Sequence, residues 1–206
     1  MSPSPLLEAR RPRSAPALAP VPAWPALFTA ATLPRVIHNA RPEVDHNTCG
    51  QAAAASVLAH FQAGPFAAGA RLDDGDAIDR VREDFPPDVP LGLGTSAHRI
   101  AAALRHFGLR AEVIHSGPFA RGVARAVDRL TEHLALGIPV PVCVDDGALG
   151  NRAWSAHWAI ALRIEDARVV LGNANAAVIP LDQFLTAWRC RHLPWPHHHC
   201  AVLAHR

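Results

Sequence analysis

The sequence predicts an α+β fold in which a helical first half packs against a sheet made by the second half. Two patterns lead there. Between residues 49 and 136 apolar residues recur mostly at helical spacing, as in Ile100, Ala101, Leu104 and Phe107, the repeat that gives a helix one apolar stripe. From Pro139 onward the period shortens, and apolar runs of strand length alternate with turn residues. A run of helices followed by a run of strands is the α+β signature. A third observation marks each half with a chemically active residue: a cysteine opens the first helix and a histidine lies inside a later strand.

Residues 1–34 are rich in alanine and proline and carry eight of the nineteen prolines, so an extended or disordered arm is expected. Trp24, Leu27 and Phe28 give that arm side chains able to pack on the domain formed by 35–206. A helix is expected over 49–62, with Val57, Leu58 and Phe61 on one face. Asp73 and the acidic residues after it start a short helix, where carboxylates favour the positive end of the dipole. A calcium loop would end in glutamate, and position 84 is aspartate. Thr95 is expected to cap the next helix, which Gly108 stops. Leu109–His115 reads as a strand and Phe119–Leu136 as a longer amphipathic helix. Strands are then expected at Pro139–Val144, Trp154–Ile164, Arg168–Leu171, Ala176–Ile179 and Cys200–Ala204, with Asp145-Asp146-Gly147 as a turn. Of Trp154, Trp158 and Trp188, at least two are expected in the core.

Composition narrows the function. A chain of 206 residues, half hydrophobic and with a net charge of +2, suits one domain with a substantial core. It suggests neither disorder nor nucleic-acid binding for the body. All twenty basic residues are arginine, and tyrosine is absent too, a pattern expected of a GC-rich genome. No apolar stretch approaches the ~20 residues of a membrane helix, and Arg10-Arg11 precedes a proline-broken segment rather than a signal sequence. The four cysteines, Cys49, Cys143, Cys190 and Cys200, fit neither a disulfide framework nor a zinc knuckle. Cys143 in particular lies in an apolar run typical of a buried thiol. A reducing, cytoplasmic setting is therefore expected. Adjacent residues of the run His197-His198-His199-Cys200 would point to opposite faces of a strand and could not share one ion. No metal and no organic cofactor is expected.

The chemistry centres on His46-Asn47-Thr48-Cys49-Gly50-Gln51-Ala52-Ala53-Ala54-Ala55. Asn47 or Thr48 can cap the helix that Cys49 opens. The free N–H groups and dipole of the first turn favour a thiolate there, and the alanines allow close packing. Far downstream, His157 lies in the apolar run Ser155–Leu162, and Leu171-Gly172-Asn173 closes the next one. Cysteine, histidine and asparagine in that order trace a thiol acyl-transfer site. Asn173 would accept from the His157 ring and fix its tautomer; Asn175, two residues on, competes for that role.

These motifs resemble the papain-like cysteine peptidases, specifically the branch that trims double-glycine leader peptides in bacteriocin exporters, with its stand-alone relatives. The resemblance covers roughly residues 35 to 190. It rests on the Cys-Gly-X-Ala-Ala helix start, the His157-Trp158 strand and the strand end at Gly172-Asn173. Leu181–Trp188 is similar to the helix that follows in that branch. In that branch the strand usually ends in aspartate; Asn173 is the papain choice. The resemblance implies a two-layer, papain-like fold, a bacterial peptidase with Cys49, His157 and Asn173 as its catalytic residues, and a peptide or protein substrate. It also places a glutamine six residues before the cysteine as oxyanion donor, where this chain has Glu43. An ionised carboxylate cannot donate, so Glu43 would have to be protonated, or Asn47 or Asn39 would take the role. Two other readings stay open. One is a thiol acyltransferase or ligase with the same three residues, the other a leader-binding module without chemistry. Substrate identity and oligomeric state are not legible.

Overall fold

The computed structural model of the chain describes residues 33–38, 47–89, 94–117, 119–150, 155–174, 177–191, 193 and 197–206. The arm expected over 1–34 lies outside these residues except for Leu33 and Pro34, and a compact unit begins at Leu33.

Among the described residues the domain has five α-helices and six strands: α1 (Cys49–Phe61), α2 (Asp74–Asp84), α3 (Ala97–His106), β1 (Arg110–Ile114), α4 (Ala120–Ala135), β2 (Val140–Asp145), β3 (Ala156–Glu165), β4 (Arg168–Gly172), β5 (Val178–Pro180), α5 (Leu181–Trp188) and β6 (Ala201–His205). The strands make one antiparallel sheet in the order β1-β6-β2-β3-β4-β5. From β2 to β5 each strand pairs with its neighbour in sequence. β6 instead inserts between β1 and β2.

Alternation along the strands divides the core in two. Cys143, Trp158, Ile160, Leu162, Val202 and Ala204 pack with α1, α2 and α3. Val140, Val142, Val144, Ala159, Ala161, Ala201 and Leu203 pack with α4 and α5. The sheet is thus covered by helices on both faces, and β2, at its centre, is buried at all six positions.

α1 is the most enclosed of the helices. Every residue from Gly50 to Leu58 is buried, so the helix has no exposed stripe, and its run of alanines is what lets neighbours approach from all sides. Ser56 resolves its own polarity there, donating to the Ala52 carbonyl (2.8 Å) and accepting from the Ile37 N–H (2.9 Å). Asp73 caps α2, its carboxylate accepting from the Asp76 N–H at 2.8 Å. The cap of α3 is Ser96 rather than Thr95: Ser96 Oγ accepts from the Arg99 N–H at 3.1 Å. Thr95 is buried and used elsewhere. On the opposite face Trp188 stacks on Phe184 and donates its indole N–H to the Cys200 carbonyl at 2.9 Å. Full burial of such side chains stabilises the fold by about 1.5–3 kcal/mol each.

Candidate active site

Cys49 is the first residue of α1. Just before it Asn47 turns the chain at φ 61°, and the Ala52 N–H reaches the Thr48 carbonyl at 2.9 Å to start the helical ladder. Helix geometry gives the N–H groups of Cys49, Gly50 and Gln51 no carbonyl one turn earlier. Thr48 occupies the cap position, but its side chain makes no cap bond, contrary to expectation. The Cys49 thiol is half-buried and free of any disulfide.

His157 is the second residue of β3, opposite Val144 of β2. The Cys49 side chain acts on its ring, and Nε2 meets the main-chain carbonyl oxygen of Asn173. A carbonyl only accepts, so Nε2 carries the proton and Nδ1 is the nitrogen left for the thiol. Asn173 follows the last residue of β4 and sits in the left-handed region at φ 54°, which asparagine tolerates. Here the outcome differs from the sequence reading. The group of Asn173 that holds His157 is its backbone carbonyl, while its side-chain amide donates to the Trp158 carbonyl at 3.4 Å.

Burial disfavours a charged His157 ring. The hydrogen bond and charge of the Cys49 side chain, the Asn173 carbonyl and the Asp146 carboxylate outweigh it, and the pKa rises from 6.5 to about 9. At neutral pH the His157 ring is therefore favoured as the imidazolium.

The two halves of this pair are tied together behind the site. Trp158, next to His157, donates its indole N–H to the Thr95 carbonyl at 2.7 Å. Thr95 Oγ1 donates to Gln51 Oε1 at 3.0 Å, and Gln51 Nε2 donates to the Phe85 carbonyl at 2.8 Å. Gly50 fits beneath Thr95: a Cβ there would stand 2.5 Å from Thr95 Cβ. So Thr95 couples the residue after the cysteine to the residue after the histidine. A second clasp lies at the end of β4, where a Cβ on Gly172 would stand 2.5 Å from Val36 Cγ2. Val36 is itself fixed by its neighbours, since Arg35 pairs with Asp74 at 2.8 Å and Ile37 bonds Ser56.

Of the oxyanion candidates, Asn47 is exposed, and Glu43 and Asn39 lie outside the described residues, as does Asn175. Sequence reasoning missed the Thr95 link and the nearness of Asp146 to His157. The first had no local signal. The second follows from strand register once β2 and β3 are paired. Among the described residues, no group of three or more His, Cys, Asp or Glu side chains could hold a metal ion, and no helix is long and apolar enough to cross a membrane.

No protein-family model and no curated protein matches the chain. Solved structures do. The peptidase domain of Streptococcus ComA, a bi-functional ABC transporter involved in a quorum-sensing pathway, is 18% identical. That alignment covers 79% of this chain and 94% of that one, with a TM-score of 0.50. A C39-like peptidase from Bacillus anthracis is 11% identical, covering 84% of this chain and 94% of that one, with a TM-score of 0.56. The chain has the C39-like peptidase fold. Within this fold the α+β, papain-like expectation holds, with the cysteine helix packed on an antiparallel sheet.

Proposed function

We propose that the chain is a papain-like cysteine peptidase that cleaves a peptide substrate, with residues 35–206 as its catalytic domain. The observation that carries this reading is a half-buried free thiol at a helix start that acts on a histidine whose Nε2 is held by the Asn173 carbonyl. Cys49 Sγ attacks the scissile carbonyl carbon and the C–N bond breaks. The His157 imidazolium gives its proton to the leaving amine, leaving a thioester. His157, now neutral, takes a proton from water, whose oxygen attacks the thioester and releases the carboxylate and the thiol. Asn173 keeps the ring aligned throughout. The Cys49 N–H is one oxyanion donor, and such a donor contributes about 3 kcal/mol. Asn47 or a protonated Glu43 would supply the second.

Mass spectrometry after exposure to a reactive peptide ester tests this. The acyl mass is expected on Cys49, absent from Cys49→Ala, and released by water. An acyl group on another cysteine, or none, overturns the reading. Capture of the acyl group mainly by an added amine assigns the chain to the transferases instead.

A further inference from the structure

We infer that Asp146 is a positioning residue of this site, a buried carboxylate one strand away from His157 that supplies the negative charge Asn173 does not. The inference rests on the thiol-peptidase reading for its purpose, but its physical content is independent of turnover.

Register places the group. Val144 pairs with His157 and Asp145 with Ala156. The Asp146 N–H donates to the Ser155 carbonyl at 3.0 Å, which carries the pairing one step further. Asp146 therefore stands one residue past the end of β2, beside Ser155 and two residues along the chain from the Val144–His157 pair, where its charge acts on the His157 ring. Asp146 is only 9% exposed, so water screens it poorly and its charge reaches further than a surface carboxylate's. The turn it opens, Asp146–Leu149, is held from two sides. Asp145 Oδ1 accepts from the Gly147 N–H at 2.9 Å, and Gln183 of α5 donates to the Ala148 carbonyl at 3.2 Å. Among the described residues, the ionisable groups acting on the His157 ring are Cys49 from α1 and Asp146 from this turn; β4 contributes only the neutral Asn173 carbonyl. The raised pKa of His157 agrees with this arrangement, the Asp146 charge being one of its causes.

The test is the titration of the His157 ring, followed by NMR and assigned with His157→Gln. Asp146→Asn is expected to lower the midpoint by about one pH unit and to move the alkaline limb of kcat/KM down with it. Asp146→Glu, which keeps the charge, should recover much of the shift. Asp145→Asn keeps the turn's acceptor and removes an equal charge one residue away; it should leave the midpoint in place. An unmoved midpoint in folded Asp146→Asn, or an equal fall in Asp145→Asn, overturns the inference. Should Asp146→Asn not fold, Asp146→Glu and Asp146→Ser give the same contrast: near wild type and lowered, respectively. A midpoint that responds to Asp146 in a protein without peptide turnover sinks the peptidase reading alone. Turnover with a midpoint indifferent to Asp146 sinks this inference alone.

Discussion

Two regions of this molecule hold thiols and treat them in opposite ways. Cys49 stands half-buried at the open end of α1, against an imidazole whose charge is favoured. Cys143, Cys190 and Cys200 lie fully inside, where β2, the end of α5 and the start of β6 meet. There Cys143 and Cys190 are 3.9 Å apart, Sγ to Sγ, and Cys190 Sγ also points at the Cys143 carbonyl, 3.5 Å away. The Cys190 hydrogen bond and burial push the Cys143 thiol well up, and burial pushes Cys200 up to about 12. The same side chain is thus a candidate nucleophile in one place and an apolar filler in the other. Helix position and a histidine partner make the difference, not the presence of sulfur.

The comparison can be tested at both ends. The largest effect is expected from His157→Ala, which removes the proton donor and base of the proposed reaction. Peptide turnover should fall by about 10²–10⁴-fold, and alkylation of Cys49 at pH 7 should drop to the rate of an ordinary thiol. If Cys49 in this variant still reacts as in wild type, the helix start alone activates it.

Acid should break the inner region. His133 and His199 are buried and neutral, held down to about 4, chiefly by burial and then by neighbouring positive charge. A histidine whose folded pKa lies below its unfolded value adds stability that is fully present above pH 6.5. That stability is lost as pH falls through 6.5 toward 4, at most roughly 3 kcal/mol for each group. His199 packs edge-on against Trp188 and immediately precedes Cys200. Urea melts should therefore show lower stability at pH 4.5 than at pH 7. Dithiodipyridine, which reacts in acid, should reach Cys190 and Cys200 earlier in step with that loss.

A smaller cost is expected from Gly50→Ala, which drives a methyl group into Thr95. Overpacking of this kind costs about 1–3 kcal/mol, and the strain falls on the link between Cys49 and Trp158. Activity should decline more than the fall in melting temperature alone explains. The smallest effect is expected from Asn173→Ala. The carbonyl that holds His157 stays, so turnover should fall by less than about tenfold, the residual cost coming from alanine in the left-handed region. A loss as large as that of His157→Ala would return the role to the Asn173 side chain.

How much of this was legible beforehand varied with the range of the interaction. α4 was read to within one residue at each end, because amphipathic spacing and flanking breakers are local signals, and α5 was read at its observed bounds from its resemblance to the helix that follows in the peptidase branch. The places of Cys49 at a helix start and of His157 in a strand were read the same way, each from its immediate neighbours. Asn173 was found for a side chain that turned out to point elsewhere, since residue type does not reveal whether a main-chain or side-chain group will be used. Thr95 was assigned a cap that Ser96 makes, because two adjacent hydroxyl residues offer the same local chemistry and only tertiary packing chooses between them. The place of β6 was not legible at all. It depends on which strands meet, and that is decided by contacts far apart in sequence.

The position of β6 has a consequence for how the domain is made. Among the described residues β1 pairs with β6 alone, and the Arg110 side chain reaches across to the Arg206 carbonyl over a separation of 96 residues. Emerging from the ribosome at ~5–20 residues per second, β1 waits several seconds for its neighbour. During that time both its edges are open to other chains. In the finished domain Arg105 already covers part of one edge, its guanidinium donating twice to the Ala111 carbonyl (3.1 and 2.6 Å). That bond is local enough to form as soon as α3 and β1 exist, so the same arginine can shield the strand during synthesis, before the sheet that needs it is complete.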